Sequence, residues 1–207
     1  MAAYSIKKNW TGMVLIENTL MCGNWNVEID FDADINYSLE QIEVAMMRII
    51  FLFDQQLDHG LWISEQNPLL PKIQKNLETK LITIPDDPFD QLIAAVLVKK
   101  IQAISAGILS IDQIKISSTV GFEIINSLSL TQCDELLVAL DAPSVGWYYS
   151  ELPTCGECPG DIITQIQDWD SVGLEWDGST HLTEKNSPRG TPGWKPTVII
   201  NKNDANN

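Results

Sequence analysis

The sequence predicts an α+β fold: a mostly antiparallel sheet with two main packed helices, followed by an irregular Pro/Gly/Trp-rich C-terminal appendage. Three observations carry this. Strand-like and helix-like segments alternate without the strict βαβ rhythm of a doubly wound sheet. Two long segments repeat apolar residues at helical spacing. Beyond Asp141 the composition changes, with six prolines from Pro143 to Pro196 and four of the seven tryptophans. The expected organisation is a domain over residues 1–140 and an acidic, Trp-rich interaction segment over 141–207.

The elements follow in order. Residues 13–21 and 25–32 read as two strands, the second alternating Trp25, Val27, Ile29 and Phe31 with Asn26, Glu28, Asp30 and Asp32, so one face is apolar and the other acidic. Cys22-Gly23-Asn24 is the expected hairpin turn. Ser38 with Gln41 three residues on forms a capping box, opening a substantially buried helix from Leu39 through Leu57 that Gly60 ends. Leu61-Trp62-Ile63 is a short strand, Asn67-Pro68 starts a brief helix, and KLITI at 80–84 is another strand. Asp87 is placed as N-cap and Pro88 as first helical residue of a helix running to about Ala106. Phe89, Ile93, Val96, Leu97, Ile101 and Ile104 point inward, Lys99 and Lys100 outward, and Gly107 terminates it. A second hairpin follows, pairing Ser110–Thr119 with Phe122–Leu128, and a short helix covers Asp134–Leu140.

Charge excludes one class of function and locates another. The 207 residues hold 13 Lys plus Arg against 28 Asp plus Glu, a formal net charge of −15. No surplus of cations exists to displace phosphate counterions, so direct nucleic-acid binding is not expected. No apolar run is long enough to span a membrane, and none of secretory type follows the first residues, so a soluble protein of the cytoplasm is expected. The acidity is local: residues 116–184 contain twelve acids and no Lys or Arg.

Few constellations carry chemistry. Cys155-Gly156-Glu157-Cys158 has the spacing of half a zinc site or a redox pair, but no second close pair of ligands accompanies it. Asp168-Trp169-Asp170-Ser171-Val172-Gly173 begins like a calcium loop and then departs from it at Val172 and Ser179. There is no G-x-S-x-G, P-loop, G-x-G-x-x-G or H-E-x-x-H motif. Acid–base catalysis would need a pocket gathering Asp86, Asp87 or Asp90 beside His59. The expected chain is therefore not an enzyme, and it carries no cofactor, zinc being the alternative. What stands out is aromatic and acidic together: Trp147, Tyr148 and Tyr149, then Asp168-Trp169-Asp170 and Glu175-Trp176-Asp177. Trp and Tyr serve as interface anchors, while the competing reading is that these rings pin the appendage to the domain.

At KLITIPDDPFDQLIAAVLVKKIQAISAGIL with IKISSTVG, and at ENTLMCGNWNVEIDFD, the chain resembles a group of small conserved proteins of T4-type tailed bacteriophages, over residues 13–125. The resemblance implies a phage-encoded protein made in a bacterial host cytoplasm; it transfers no catalytic residue. The resulting expectation is a non-enzymatic phage accessory protein that binds a phage or host protein with a basic surface. In one form, its carboxylates inhibit a host nucleic-acid-binding or defence protein by occupying phosphate sites. The alternatives are a virion or assembly component, and a small zinc protein or enzyme using Cys155 and Cys158.

Overall fold

Two long strands, β1 (Ala2–Ile16) and β2 (Thr19–Ala33), form the centre of a six-stranded mixed sheet. The computed structural model describes residues 2–33, 36–76, 80–143, 146–155 and 168–176. The remaining strands are β3 (Leu61–Ser64), β4 (Leu81–Ile84), β5 (Leu109–Ser118) and β6 (Asn126–Ser129), in the order β4-β3-β1-β2-β5-β6. The β1–β2, β2–β5 and β5–β6 pairings are antiparallel, while β3 runs parallel to both β1 and β4. Four α-helices accompany them: α1 (Leu39–Phe51), α2 (Leu70–Asn76), α3 (Asp90–Ile104) and α4 (Leu130–Ala139). No helix among the described residues is long and apolar enough to cross a membrane.

The first hairpin corrects the expected turn. The strands pair from Ala2↔Ala33 to Ile16↔Thr19, so the turn is Glu17-Asn18, and Cys22-Gly23-Asn24 lies within β2. Gly23 faces Gly12 across the pair because the Trp25 ring occupies the space a side chain would fill. A Cβ on Gly23 would stand 2.9 Å from that ring and 2.6 Å from Val120 Cγ2. The glycine serves packing here, not a turn. On β5, the imperfect alternation also has a cause. Gln113 pairs with Asp30 and Ile111 with Phe31, so Asp112 bulges out, and Ile111 and Ile114 both reach the core.

The capping box at Ser38 and Gln41 forms as expected, with each group hydrogen-bonded to the other's backbone. Instead of one α-helix to Leu57, α1 passes at Leu52 into a π-helical stretch, Leu52–Leu57, which buries Leu52, Phe53, Gln56 and Leu57 together. Asp58 is extended and His59 left-handed, with φ 60°, before Gly60. Helix α3 starts two residues later than expected: Phe89, not Asp87, is the N-cap, without a side-chain hydrogen bond, and the N–H of Phe89 closes a turn onto Asp87 O. It ends at Ser105, and both Ala106 and Gly107 are left-handed. The second strand of the later hairpin is also shorter than expected, since Phe122–Ile125 belong to the turn and only Asn126–Ser129 pair.

One main core joins these elements. Trp10, Trp25, Val27, Ile29 and Phe31 of the central strands share it with Ile49 and Phe53 and with nine of the fifteen residues of α3. Tyr148, Cys155, Trp169 and Leu174 belong to the same cluster. Full burial of each large apolar side chain contributes roughly 1.5–3 kcal/mol.

Candidate functional site

The segment with the strongest aromatic and acidic signal is held against α1 and α3 by two buried cations. Lys100 is the eleventh residue of α3 and lies on the spacing Ile93, Leu97, Lys100, Ile104, which points it into the protein. Its ammonium is fully buried and donates to the carbonyl oxygens of Trp147 (3.2 Å), Ser150 (2.9 Å) and Leu152 (2.6 Å). The expectation that Lys100 points outward is thus corrected: three backbone acceptors converge where its stem, packed among apolar neighbours, delivers the charge. Burial pushes its pKa down to about 8, with Cys155 acting in the opposite sense.

Arg48 plays the same part on α1. It is buried, its Nε donates to Leu174 O at 2.8 Å, and its Nη1 donates to Ile104 O at 3.2 Å. The planar guanidinium lies between two indoles, 4.6 Å from the Trp169 ring centre and 3.7 Å from that of Trp176. Such cation–π contacts are worth about 0.5–2 kcal/mol each, most when desolvated. Burial lowers its pKa to about 10, and Glu151 opposes the shift.

The aromatic residues singled out by sequence are largely engaged within the chain. Trp147 is half-buried, donates Nε1 to Thr83 O at 2.8 Å and meets Trp62 edge to face. Tyr148 is fully buried and its hydroxyl donates to Pro143 O, burial pushing its pKa up to about 12. Trp169 is buried, donates Nε1 to Glu151 O and packs edge-on against Phe51. Trp176 is half-buried over Arg48, and Glu175 is half-buried too. A single 3₁₀ turn, Asp170–Val172, separates the two indoles and ends at the left-handed Gly173. Tyr149, Asp168 and Asp170 face solvent, joined by Glu151. The Asp168 carboxylate accepts from the Ser171 N–H, a local turn in place of the calcium loop's metal contact. Asp177 lies outside the described residues.

Cys155 is buried in the core, and Cys158 lies outside the described residues. Among the described residues no group of three or more His, Cys, Asp or Glu side chains is arranged to hold a metal. The acid–base set is not assembled either. His59 is exposed beside Asp58, whereas Asp90 is buried and accepts from Trp25 Nε1 (3.1 Å) and Ser118 Oγ (3.0 Å).

That Asp90 network shapes a second surface that sequence reasoning assigned to a strand. Ser118 Oγ also accepts the Gly121 N–H, Ser118 O accepts the Glu123 N–H, and Gly121 O accepts the Ile124 N–H. Gly121 approaches so closely that a Cβ would sit 2.4 Å from Asp90 Oδ2. The loop then carries two consecutive non-glycine residues in the left-handed region, Phe122 at φ 57° and Glu123 at φ 60°. Each such residue costs on the order of 1–2 kcal/mol. The loop leaves Phe122 87%, Ile124 62% and Ile125 70% exposed, and Phe89, which precedes Asp90, is 56% exposed. The signal available in sequence was Gly121 followed by an apolar run too short to pair along its length. No protein-family model matches the chain, and no curated protein is significantly similar to it.

Proposed function

We propose that the chain is a non-enzymatic accessory protein that binds a protein partner bearing a basic surface, with residues 141–207 as its interaction segment. The carrying observation is how charge is distributed on that segment. Two cations that contact its described residues, Arg48 and Lys100, spend their charge inward on carbonyl oxygens and indole rings. The carboxylates of Glu151, Asp168 and Asp170 face solvent, and among the described residues no ion pair includes them. A negative surface speeds encounter with a positive one. The resemblance to T4-type phage proteins supports a phage or host protein in the bacterial cytoplasm as that partner. The test is affinity capture from infected cells with the wild type and with a variant combining Glu151→Gln, Asp168→Asn and Asp170→Asn. Three rim charges at about 0.5 kcal/mol or more each predict roughly tenfold weaker capture by the variant, and weaker capture by the wild type as salt rises. A partner retained equally by both proteins at all ionic strengths would overturn the reading.

A further inference from the structure

We propose that two copies of this chain pair through the free edge of β1, antiparallel about a two-fold axis at Ile6, joining their six-stranded sheets into one. Strand β1 bonds to β2 along its whole length but to β3 only at Met13, Val14 and Leu15. Successive residues of a strand present their N–H and C=O to opposite edges. On the β3 side that alternation is fixed by Met13, whose N–H donates to Gly60 O, and by Thr11, which donates its N–H to Asp58 Oδ1 and accepts the His59 N–H. Ala3, Ser5, Lys7 and Asn9 therefore turn their N–H and C=O to the same side, and among the described residues none of these groups has a hydrogen-bond partner there. About 20 Å of strand edge is open. An unpaired row of alternating donors and acceptors is a template for another strand.

Proteins guard such edges with proline, bulges or protruding charge. From Ala2 to Asn9 there is no proline, and the register with β2 is unbroken. Both lysines present are tied within the chain, Lys7 Nζ lying 2.8 Å from Glu28 on β2 and Lys8 Nζ 2.8 Å from Asp54 on the π-helical stretch. The edge is also self-complementary, which identifies the occupant. An antiparallel copy centred on Ile6 uses all four residues, pairing Ala3 with Asn9 and Ser5 with Lys7 of the second copy, and the reverse. It sets Ile6 against its own counterpart and Tyr4 beside the Lys8 stem, covering two apolar side chains that are half-buried in the single chain. Centring on Lys7 instead would put two ammoniums directly opposite each other, and centring on Ser5 would leave Asn9 unpaired. Strand β1 of the second copy then reaches Trp10 and stops short of β3, so the two do not compete for the edge.

Sedimentation of the full chain over about two decades of concentration tests the pairing, since mass action predicts a rise from the monomer mass to twice that value. Ser5→Pro removes an N–H that points off the edge and takes no bond from the β1–β2 ladder, so the variant should keep its circular dichroism and stay monomeric throughout. A second measurement does not depend on that variant. Ile6→Cys lies on the axis at a non-hydrogen-bonded pair, with Cα atoms about 4.5 Å apart, and under a copper oxidant should form a disulfide to position 6 of the second copy. Ser5→Cys, displaced along the strand from its own counterpart, should not, and peptide mass spectrometry distinguishes the two. A chain that stays monomeric at every concentration, its edge bare or covered by its own residues, would overturn the proposal. So would a dimer that persists in folded Ser5→Pro, or one that links from position 5 and not from 6. The pairing draws on none of residues 141–207, and it fails on mass and crosslink whereas the acidic-segment reading fails on the salt response of capture.

Discussion

Replacing Lys100 by Met keeps the length and apolar character of the stem and deletes only the charged head, leaving the carbonyls of Trp147, Ser150 and Leu152 without their shared donor. Hydrogen bonds from a charged donor contribute about 1.5–3 kcal/mol each, so three are worth about 5–9 kcal/mol. Against this, the fall in pKa from 10.5 to about 8 means that burying the charge costs about 3 kcal/mol, which the Met variant recovers. The variant is therefore expected to be less stable at neutral pH by about 2–6 kcal/mol. Urea unfolding followed by tryptophan fluorescence measures the loss, and equal stability of the two proteins would refute the clamp. The pH dependence gives an independent check. The unfolded chain holds the Lys100 proton up to 10.5 and the folded chain only to about 8, so between these values the unfolded state binds more protons and stability rises with pH. The advantage of wild type over the Met variant should widen across that window. A narrowing gap would place the folded-state pKa of Lys100 above 10.5 and refute the direction of the shift.

Other outcomes follow from the same contacts. Arg48→Lys keeps a charge but loses the flat fork between Trp169 and Trp176, and should cost about 1–3 kcal/mol by denaturant unfolding. Gly23→Ala forces a methyl against Val120 and Trp25 and should destabilise by about 1–3 kcal/mol, with the near-ultraviolet tryptophan signal altered. Phe122→Asn removes a side chain with little packing and places a residue tolerant of left-handed backbone, so the melting temperature should hold or rise, by up to about 1 kcal/mol in stability. Among the described cysteines, Cys22 is exposed and should alkylate rapidly in the folded protein. Cys133, buried with its pKa pushed up to about 11, should stay unmodified until unfolding, as mass spectrometry would show.

What the sequence revealed depended on how local the physics was. The Ser38–Gln41 capping box, the alternation of β2 and the apolar periodicity of α3 are all short-range patterns, and they produced the elements expected of them. Gly23 misled because glycine is permissive both in turns and where another side chain needs room, and only the distant Trp25 ring and Val120 distinguish the two. Lys100 and Arg48 were legible by position, each lying on the apolar spacing of its helix, but residue type argued for the surface. Their acceptors are carbonyls, which no sequence pattern marks. The aromatic segment was found for its composition, whereas its inward-facing rings follow from contacts with Thr83, Phe51 and Arg48 that lie far away in the chain.

Those long separations bear on kinetics. The bond from Arg48 to Leu174 spans 126 residues, and those from Lys100 span 47 to 52. Closing such loops costs entropy that is offset only once both helices are already packed, so the clamps form late, after the folding barrier. Interactions absent from the transition state act on the unfolding rate. The two cations therefore set how long the folded molecule lasts more than how quickly it is made, and weakening either should shorten its lifetime while leaving refolding nearly unchanged.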